Sequence, residues 1–390
     1  MQDTDEAATR TAVAFPQNLP ALTSVRFFLA LGVVLFHYQL QWPWDTMATT
    51  GLLDKARLGV DAFFILSGFV LTHAYRDALA TGQLDYRRFL VARFARIYPA
   101  HLAVLVFVII MVTGASLLGA EFDRELYNPA GLVLTLLLVH AWLPDLVTAE
   151  WNGPSWSLSA EWFAYLAFPV FAWVGLKLAR RPLLLLILAA ALFLALDQLY
   201  LALFRDTVVH AELNLGVLRI LPEFLYGVAL YRLGERVTMS PPLAVAAAWG
   251  SAIVLLALMH FKADDRFVVA AAGPLILALA LLSKAAEEGP MARPLLLLGG
   301  EASYALYLVH MPILIAWKGV VSAVTGQDSK YILAWWEVGV LLAISLAAAV
   351  ALHLVVEGPA RSWIRRRADR VLPAPGSKAQ MIRGSQPPDL

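Results

Sequence analysis

Ten long apolar runs divide the chain, at about 22–41, 58–75, 94–115, 155–178, 182–203, 213–231, 241–261, 266–284, 295–317 and 331–357, and the turns between them carry most of the charges, prolines and glycines. A helix needs roughly 20 mostly apolar residues to cross the hydrocarbon core of a bilayer, and each run supplies about that length. The pattern predicts an all-α integral membrane protein, a bundle of about ten transmembrane helices. An eleventh run, Ala130 to Leu143, spans only about fourteen residues and predicts a short re-entrant or interfacial segment near 130–143.

Lysine and arginine set the orientation. If 130–143 does not cross and the N-terminus is cytoplasmic, the turns holding Arg76, Arg87, Arg88, Arg93, Arg96, Lys177, Arg180, Arg181, Arg232, Arg236, Lys284 and Arg293 all face inward, together with the arginine-rich stretch from Arg361 to Arg370. Lys55, Arg57, Arg124, Arg205, Lys262, Arg266, Lys318 and Lys330 stay outside. Making 130–143 a span would move the Lys177, Arg180, Arg181 turn outward, against the positive-inside tendency. The chain is therefore expected to be multi-pass in the plasma (inner) membrane with both termini cytoplasmic. A loose arm over 1–18, a transmembrane domain over 19–360 and a basic, then disordered, tail over 361–390 complete the expected organisation. The first apolar run lacks a small-residue cleavage site and is expected to be retained.

Composition narrows the function classes. Hydrophobic residues make up 60% of the 390 positions and charged residues 15%, with formal net charge +1. Mean hydropathy is +0.69. Such a chain gives no electrostatic basis for binding nucleic acid. The absence of cysteine removes disulfides, thiolate nucleophiles and thiolate-bound metals. The eight histidines are scattered without ligand spacing, so no metal is expected.

Against this apolar background the buried ionisable residues stand out, because a charge in lipid is expensive and marks function by default. Arg26 and His37 share the first run, about 16 Å apart along a helix at 1.5 Å per residue. Arg26 belongs near the inner end, level with Arg93 and Arg96, which lie three apart and so share a helix face. Counted by depth, His37, Asp61, Glu161 and His310 form an outer tier. A cationic inner tier and an acid/base outer tier suit a long donor with phosphates at one end and a reactive group at the other, since arginine forks bind phosphate oxygens. Coenzyme A has that shape.

Several signatures in order, RFFLALGVVLFH at 26–37, GVDAFFILSGF at 59–69, RFARIYPAH at 93–101, WSLSAEWFAY at 156–165, LGGEASYALYLVHMP at 298–312 and HLVVEGPAR at 353–361, resemble the membrane acyltransferase-3 family. Members of that family O-acylate cell-envelope and exported glycans. The resemblance covers nearly the whole chain and implies an acyl-CoA donor, with acetyl-CoA the commonest, and a carbohydrate or glycoconjugate hydroxyl as acceptor. It also implies His37 as the catalytic residue and roles for Arg26, Arg93 and Arg96. Ser67 and Tyr98 join the donor contacts, while Trp151, Trp156, Tyr307 and His310 fall to the acceptor side. Relatives with an added extracytoplasmic hydrolase-like domain differ from this sequence, which is expected to act alone.

A neutral imidazole can take the proton of a sugar hydroxyl as it attacks a thioester, or can itself carry the acyl group. An imidazole in a dry bundle needs its second nitrogen fixed, and Glu161 or Asp61 are the candidates, the sequence not deciding between them. Plainer roles compete. Boundary arginines also set topology and touch anionic lipids. Asp61 can cap a helix, the tryptophans can belong to the interfacial belt, and Arg219 with Glu223, four apart, can neutralise each other, as can His353 with Glu357. Tyr98, Pro99 and His101 are expected to shape the donor entrance, and Gly59 and Gly68 to let helices approach. The alternative function is a proton-coupled secondary transporter or exporter with Arg219, Glu223, His310 and Asp61 as its relay, but no inverted repeat supports it. Oligomeric state is not legible.

Overall fold

The computed structural model describes residues 14–119, 125–144, 151–287 and 289–372, and among these all regular structure is helical. The helices are α1 (Pro20–Gln39), α2 (Leu52–Lys55), α3 (Gly59–Ala74), α4 (Arg76–Ala80), α5 (Tyr86–Leu117), α6 (Pro129–Leu136), α7 (Trp156–Leu166), α8 (Phe168–Lys177), α9 (Pro182–Phe204), α10 (Gly216–Gly234), α11 (Pro241–His260), α12 (Asp265–Lys284), α13 (Pro294–Thr325), α14 (Trp335–Leu352) and α15 (Gly358–Val371). Proline opens α1, α6, α9, α11 and α13, where its missing N–H has no helical partner to lose. Asp85, Asn128 and Asp264 accept hydrogen bonds from the first-turn amides of α5, α6 and α12.

Eight helices among the described residues are long and apolar enough to cross a membrane, and the bent pair α7–α8 makes a ninth. Helix α10 covers the one remaining expected run, 213–231. Its length is adequate at 19 residues, but Arg219, Glu223 and Arg232 lie along it. These residues are buried in protein, and α10 therefore belongs to the middle of the bundle and not to its lipid face. The α7–α8 pair bends by 56°. Pro169 starts the second piece, and the Leu166 carbonyl left without a helical partner accepts the Tyr86 hydroxyl at 2.8 Å. The segment near 130–143 holds only the eight residues of α6, about 12 Å of helix and too short to cross.

Small residues set the tightest crossings. A Cβ added at Gly68 would overlap the Phe224 carbonyl oxygen, and one at Gly227 would overlap that of Ile65, so α3 and α10 touch backbone to backbone. Gly300 meets the Thr23 carbonyl in the same way and joins α13 to α1, and Gly59 brings α3 against Leu29 of α1. Helices α1, α3, α10 and α13 thus form the interior. Leu183 and Ile187 of α9 and Trp249 and Ile253 of α11 point outward with more than half their surface exposed, as lipid-facing residues do.

The final helix does not end at its membrane span. After α14 comes a π-helical turn, His353–Glu357, in which the Gly358 amide bonds back five residues to the His353 carbonyl. Helix α15 then carries the basic stretch as far as Val371 along α5, where Arg88 pairs with Asp369 and donates to the Leu372 carbonyl at 3.1 Å. The disordered tail expected further on, and most of the N-terminal arm, lie outside the described residues.

Candidate active site

A cavity of about 140 Å³ lies between α1, α3, α5, α7 and α13, and the guanidinium groups of Arg26, Arg93 and Arg96 all face it. Glu161, Ser67, Tyr165, Tyr304, Ser157 and Tyr307 complete its polar lining. The RFARIYPAH spacing explains half of this cluster. Arg93 and Arg96, three residues apart, emerge on one face of α5, and α1 supplies Arg26 opposite.

The three arginines are not equivalent. Arg96 forms an ion pair with Glu357, which is fully buried in the π-helical turn. It also stands over the Tyr304 ring, 5.7 Å from its centroid. Arg93 lies over Tyr75 and Tyr165 at 5.8 and 5.9 Å, and its Nε makes no hydrogen bond. Among the described residues neither Arg93 nor Arg26 forms an ion pair or a side-chain hydrogen bond. Glu161 is the counter-charge within the cavity, accepting from the Tyr165 hydroxyl at 2.5 Å and from Ser67 at 3.2 Å. Arg361 and Arg365 of α15 add further positive potential around the arginine cluster. With one arginine engaged and two free, the cavity is built to accept anionic oxygens.

His37 sits in the last turn of α1, and its surroundings fix its tautomer. Nδ1 lies 2.9 Å from the Val33 carbonyl, which can only accept, so Nδ1 carries the proton and Nε2 keeps its lone pair. His310 Nε2 stands 3.2 Å from the same Nδ1, and the two rings are 4.9 Å apart. The fully buried His310 is backed by Tyr38, whose hydroxyl donates to the His310 carbonyl at 3.4 Å and meets Ser345 at 2.8 Å. One turn back along α13, Tyr307 lines the cavity, bonded to Ser157 and to the Pro154 carbonyl, each at 2.8 Å. His37 itself does not line the cavity; Tyr307 and His310, whose rings are 6.0 Å apart, stand between the two.

Several sequence expectations are corrected by this geometry. Neither carboxylate considered for orienting His37 touches it. Asp61 is held by Arg219 through Nε at 2.8 Å and Nη2 at 2.6 Å, and both residues are buried. The hydrogen bonds of Arg219 therefore go to Asp61 and not to Glu223, which lies beside that pair. Glu161 lies level with the arginines and not with His37, because the segment before α7 is itself buried at Trp151, Asn152 and Ser155 and the helix starts deep. Tyr98 turns away from the cavity and stacks on Phe94 at 4.4 Å. The buried His101 meets the Thr135 carbonyl of α6 at 3.1 Å, and Pro99 lies within α5, so neither forms an entrance. Trp156 is covered by Arg219, 5.0 Å above its ring, and Trp151 donates to the Asn128 carbonyl at 2.9 Å; both are buried and offer no open face to a sugar. His353 does meet Glu357, at 3.1 Å, but the same carboxyl also holds Arg96. No local signal in the sequence links Glu357 or Tyr304 to the arginines; each arrives from a distant helix.

Comparison with known proteins places this arrangement. A family model described as an acyltransferase domain matches residues 19–354. The acyltransferase MdmB of Streptomyces mycarofaciens is 32% identical over 383 residues, covering 90% of this chain and 93% of that protein. Protein 2 in the picA locus of Rhizobium radiobacter is 30% identical over 190 residues, 46% of this chain and 94% of that protein. The putative O-acetyltransferase SACOL0978 of Staphylococcus aureus (strain COL) is 25% identical over 321 residues, 76% of this chain and 50% of that protein. No solved structure matches. With the family model spanning most of its length and a relative aligned nearly end to end, the chain, a multi-pass membrane protein, belongs to the acyltransferase-3 family.

Proposed function

We propose that the protein transfers an acyl group, most simply acetyl, from cytoplasmic acyl-CoA to a hydroxyl of a carbohydrate or glycoconjugate at the plasma membrane. The observation that carries this reading is the pair of uncommitted guanidiniums, Arg26 and Arg93, facing one cavity whose Tyr307 wall backs onto a histidine pair. Phosphate oxygens of the donor would take those forks, with Arg96 held ready by Glu357. At about 140 Å³ the cavity suits a segment of such a donor and not the whole. The phosphorylated end would lie toward α15 and the acyl end toward Tyr307. Both termini would then be cytoplasmic, in keeping with the inward charge of α15.

The chemistry assigned to the chain is proton transfer. His37 Nε2 takes the proton as the acceptor oxygen attacks the thioester carbonyl. The C–O bond forms, the C–S bond breaks, and the proton is returned to the leaving sulfur. The Val33 carbonyl and His310 hold the ring in the required tautomer, which is the task first assigned to a carboxylate. For this, Tyr307 and His310 must admit the acyl end between them.

The test uses purified protein with acetyl-CoA, following free thiol release with and without an acceptor glycan. His37→Ala should lower turnover by about 10²–10⁴-fold, the usual share of a general base, with thermal stability retained. His310→Gln should lower turnover less while shifting its pH profile, as a positioning residue would. Full turnover in His37→Ala sinks the assignment of the base, and absence of any thiol release or donor-induced stabilisation in the unsubstituted protein sinks the donor. Transport by the relay considered above gains no support, since Asp61 and Arg219 are locked to each other.

A further inference from the structure

Helix α15 lies along α5, and acids fix both of its ends there: Glu357, the residue before it, pairs with Arg96, and Asp369, near its far end, pairs with Arg88. Between these anchors the same four-residue spacing brings Arg361 and Arg365. Each step of four residues turns a helix by only about 40° and advances it by about 6 Å, so a row that touches α5 at both ends faces α5 along its length. What it meets there is positive. Arg361 lies within electrostatic reach of Arg26 and Arg96, and Arg365 within reach of Arg93. Among the described residues neither Arg361 nor Arg365 forms an ion pair or a hydrogen bond. The carboxylates along this groove are occupied. Glu357 holds Arg96 and His353, Asp369 holds Arg88, and Glu301 faces His353 at 3.7 Å with its side chain 60% exposed. Arginine is thus set against arginine across the α5–α15 groove, an arrangement that repels unless the two rows share an anion.

We propose that this groove holds the ribose 3′-phosphate of coenzyme A between Arg361 and Arg365, while the diphosphate takes Arg26 and Arg93 deeper in. This subsite presupposes the acyl-CoA donor proposed above and adds where its nucleotide end lies and which donors are accepted. The arginine-lined cavity, at about 140 Å³, takes only part of such a donor, so the nucleotide must lie outside it. The groove continues the same positive surface, with Arg361 and Arg365 about 6 and 12 Å along the helix from Glu357. It is also reachable from water. Helix α5 runs for 32 residues, about 48 Å against a hydrocarbon core of roughly 30 Å, and its charged first turn, with Arg87 and Arg88, projects beyond the bilayer. A phosphomonoester carries close to two negative charges and three acceptor oxygens, which two forks four residues apart can share. A lipid phosphodiester carries one charge and two free oxygens, and a single fork satisfies it.

The full chain in phosphatidylcholine nanodiscs can be titrated with coenzyme A and with 3′-dephospho-coenzyme A, following the shift of its thermal unfolding. Coenzyme A should bind at least tenfold tighter, the share of one charge-assisted hydrogen bond. Arg361→Ala and Arg365→Ala should each weaken coenzyme A about tenfold and leave the dephospho form unchanged, so that the preference disappears. Arg367→Ala, about 200° round α15 from Arg365, should alter neither affinity. Equal affinity for the two nucleotides in the unsubstituted protein, or a preference that persists in both variants, overturns the subsite and leaves the donor reading standing. Equal affinity together with a stabilisation by added phosphatidylglycerol that Arg365→Ala abolishes also overturns it, and gives the groove to a lipid headgroup. Binding of neither nucleotide removes the donor reading and the subsite with it. The comparison in the unsubstituted protein decides by itself if a variant does not fold.

Discussion

Asp61 is the residue whose sequence context and structural surroundings most sharply disagree, and its replacement separates a structural from a chemical role. Asp61 and Arg219 are joined by two short hydrogen bonds, with side-chain exposures of 0% and 3%. Removing one member of a buried pair costs about 3–5 kcal/mol, mostly from stranding the other charge. The two single changes should not be equal. In Asp61→Ala the guanidinium keeps Trp156 beneath it, a 3.4 Å contact to the Ala211 carbonyl, and Glu223 four residues along α10 as a replacement counter-charge. Its loss should sit near the lower limit, about 3 kcal/mol. Arg219→Met leaves Asp61 and Glu223 side by side without a cation and should approach about 5 kcal/mol. The double change Asp61→Leu with Arg219→Met removes both charges and should recover to within about 2 kcal/mol of the parent, as buried pairs exchanged for apolar groups often do. Unfolding of purified protein in mixed micelles, followed by tryptophan fluorescence, measures all three. A larger loss for Asp61→Ala than for Arg219→Met, or a double variant no more stable than Arg219→Met, refutes the electrostatic account. A double variant that is folded but inactive would return a chemical role to Asp61.

The remaining predictions address donor, pH and packing. Arg93→Ala should raise the apparent KM for acyl-CoA about 10–100-fold, the equivalent of one charge-assisted bond of about 1.5–3 kcal/mol, with kcat little changed. Arg96→Ala should instead lower thermal stability, because it strands the buried Glu357; comparing KM with melting temperature distinguishes the two. At the His37 end of the bundle, His210 bonds Asp265 at 3.1 Å and Asp206 at 2.6 Å. The hydrogen bond to Asp265 raises its pKa above 6.5 against the opposing effect of burial, with Asp206 adding to the rise. Its stabilisation is therefore complete below pH 6.5 and is lost as pH climbs through the raised value. With the ring 40% exposed the effect should stay under about 1 kcal/mol, and a His210→Asn melting profile should lack it. Gly68→Ala, whose new methyl meets the Phe224 carbonyl, should cost about 1–3 kcal/mol, whereas Gly250→Ala, facing open space, should be neutral within about 0.5 kcal/mol by the same unfolding assay.

Run length made the spans legible, because a bilayer imposes a minimum on every crossing. Height along a helix was partly legible too, and it grouped Arg26 with Arg93 and Arg96. Azimuth follows from spacing only within one helix, and which faces of different helices meet is set by packing. At 100° per residue Asp61 and Ser67 of one motif differ by about 240°, so α3 shows Asp61 to α10 and Ser67 to the cavity. Tyr98 stands about 200° from Arg96, which is why it left the cavity while its neighbours stayed. A span counted from residue 155 places Glu161 in the outer tier, but Trp151, Asn152, Pro154 and Ser155 are themselves buried, so α7 starts deep and its carboxylate lies level with the arginines. Glu357 lies 261 residues from its partner Arg96, and only tertiary packing could disclose it.

The π-helical turn at His353–Glu357 works as an indexing joint. One extra residue in the turn rotates everything beyond it by about 100° relative to an uninterrupted α-helix. Glu357 reaches Arg96, and Asp369 reaches Arg88, only with that offset in place. Deleting a single residue there would tidy the hydrogen-bond ladder yet swing both carboxylates off α5 together, so the irregular geometry, and not the regular one, is what keys the C-terminal helix to the arginine row.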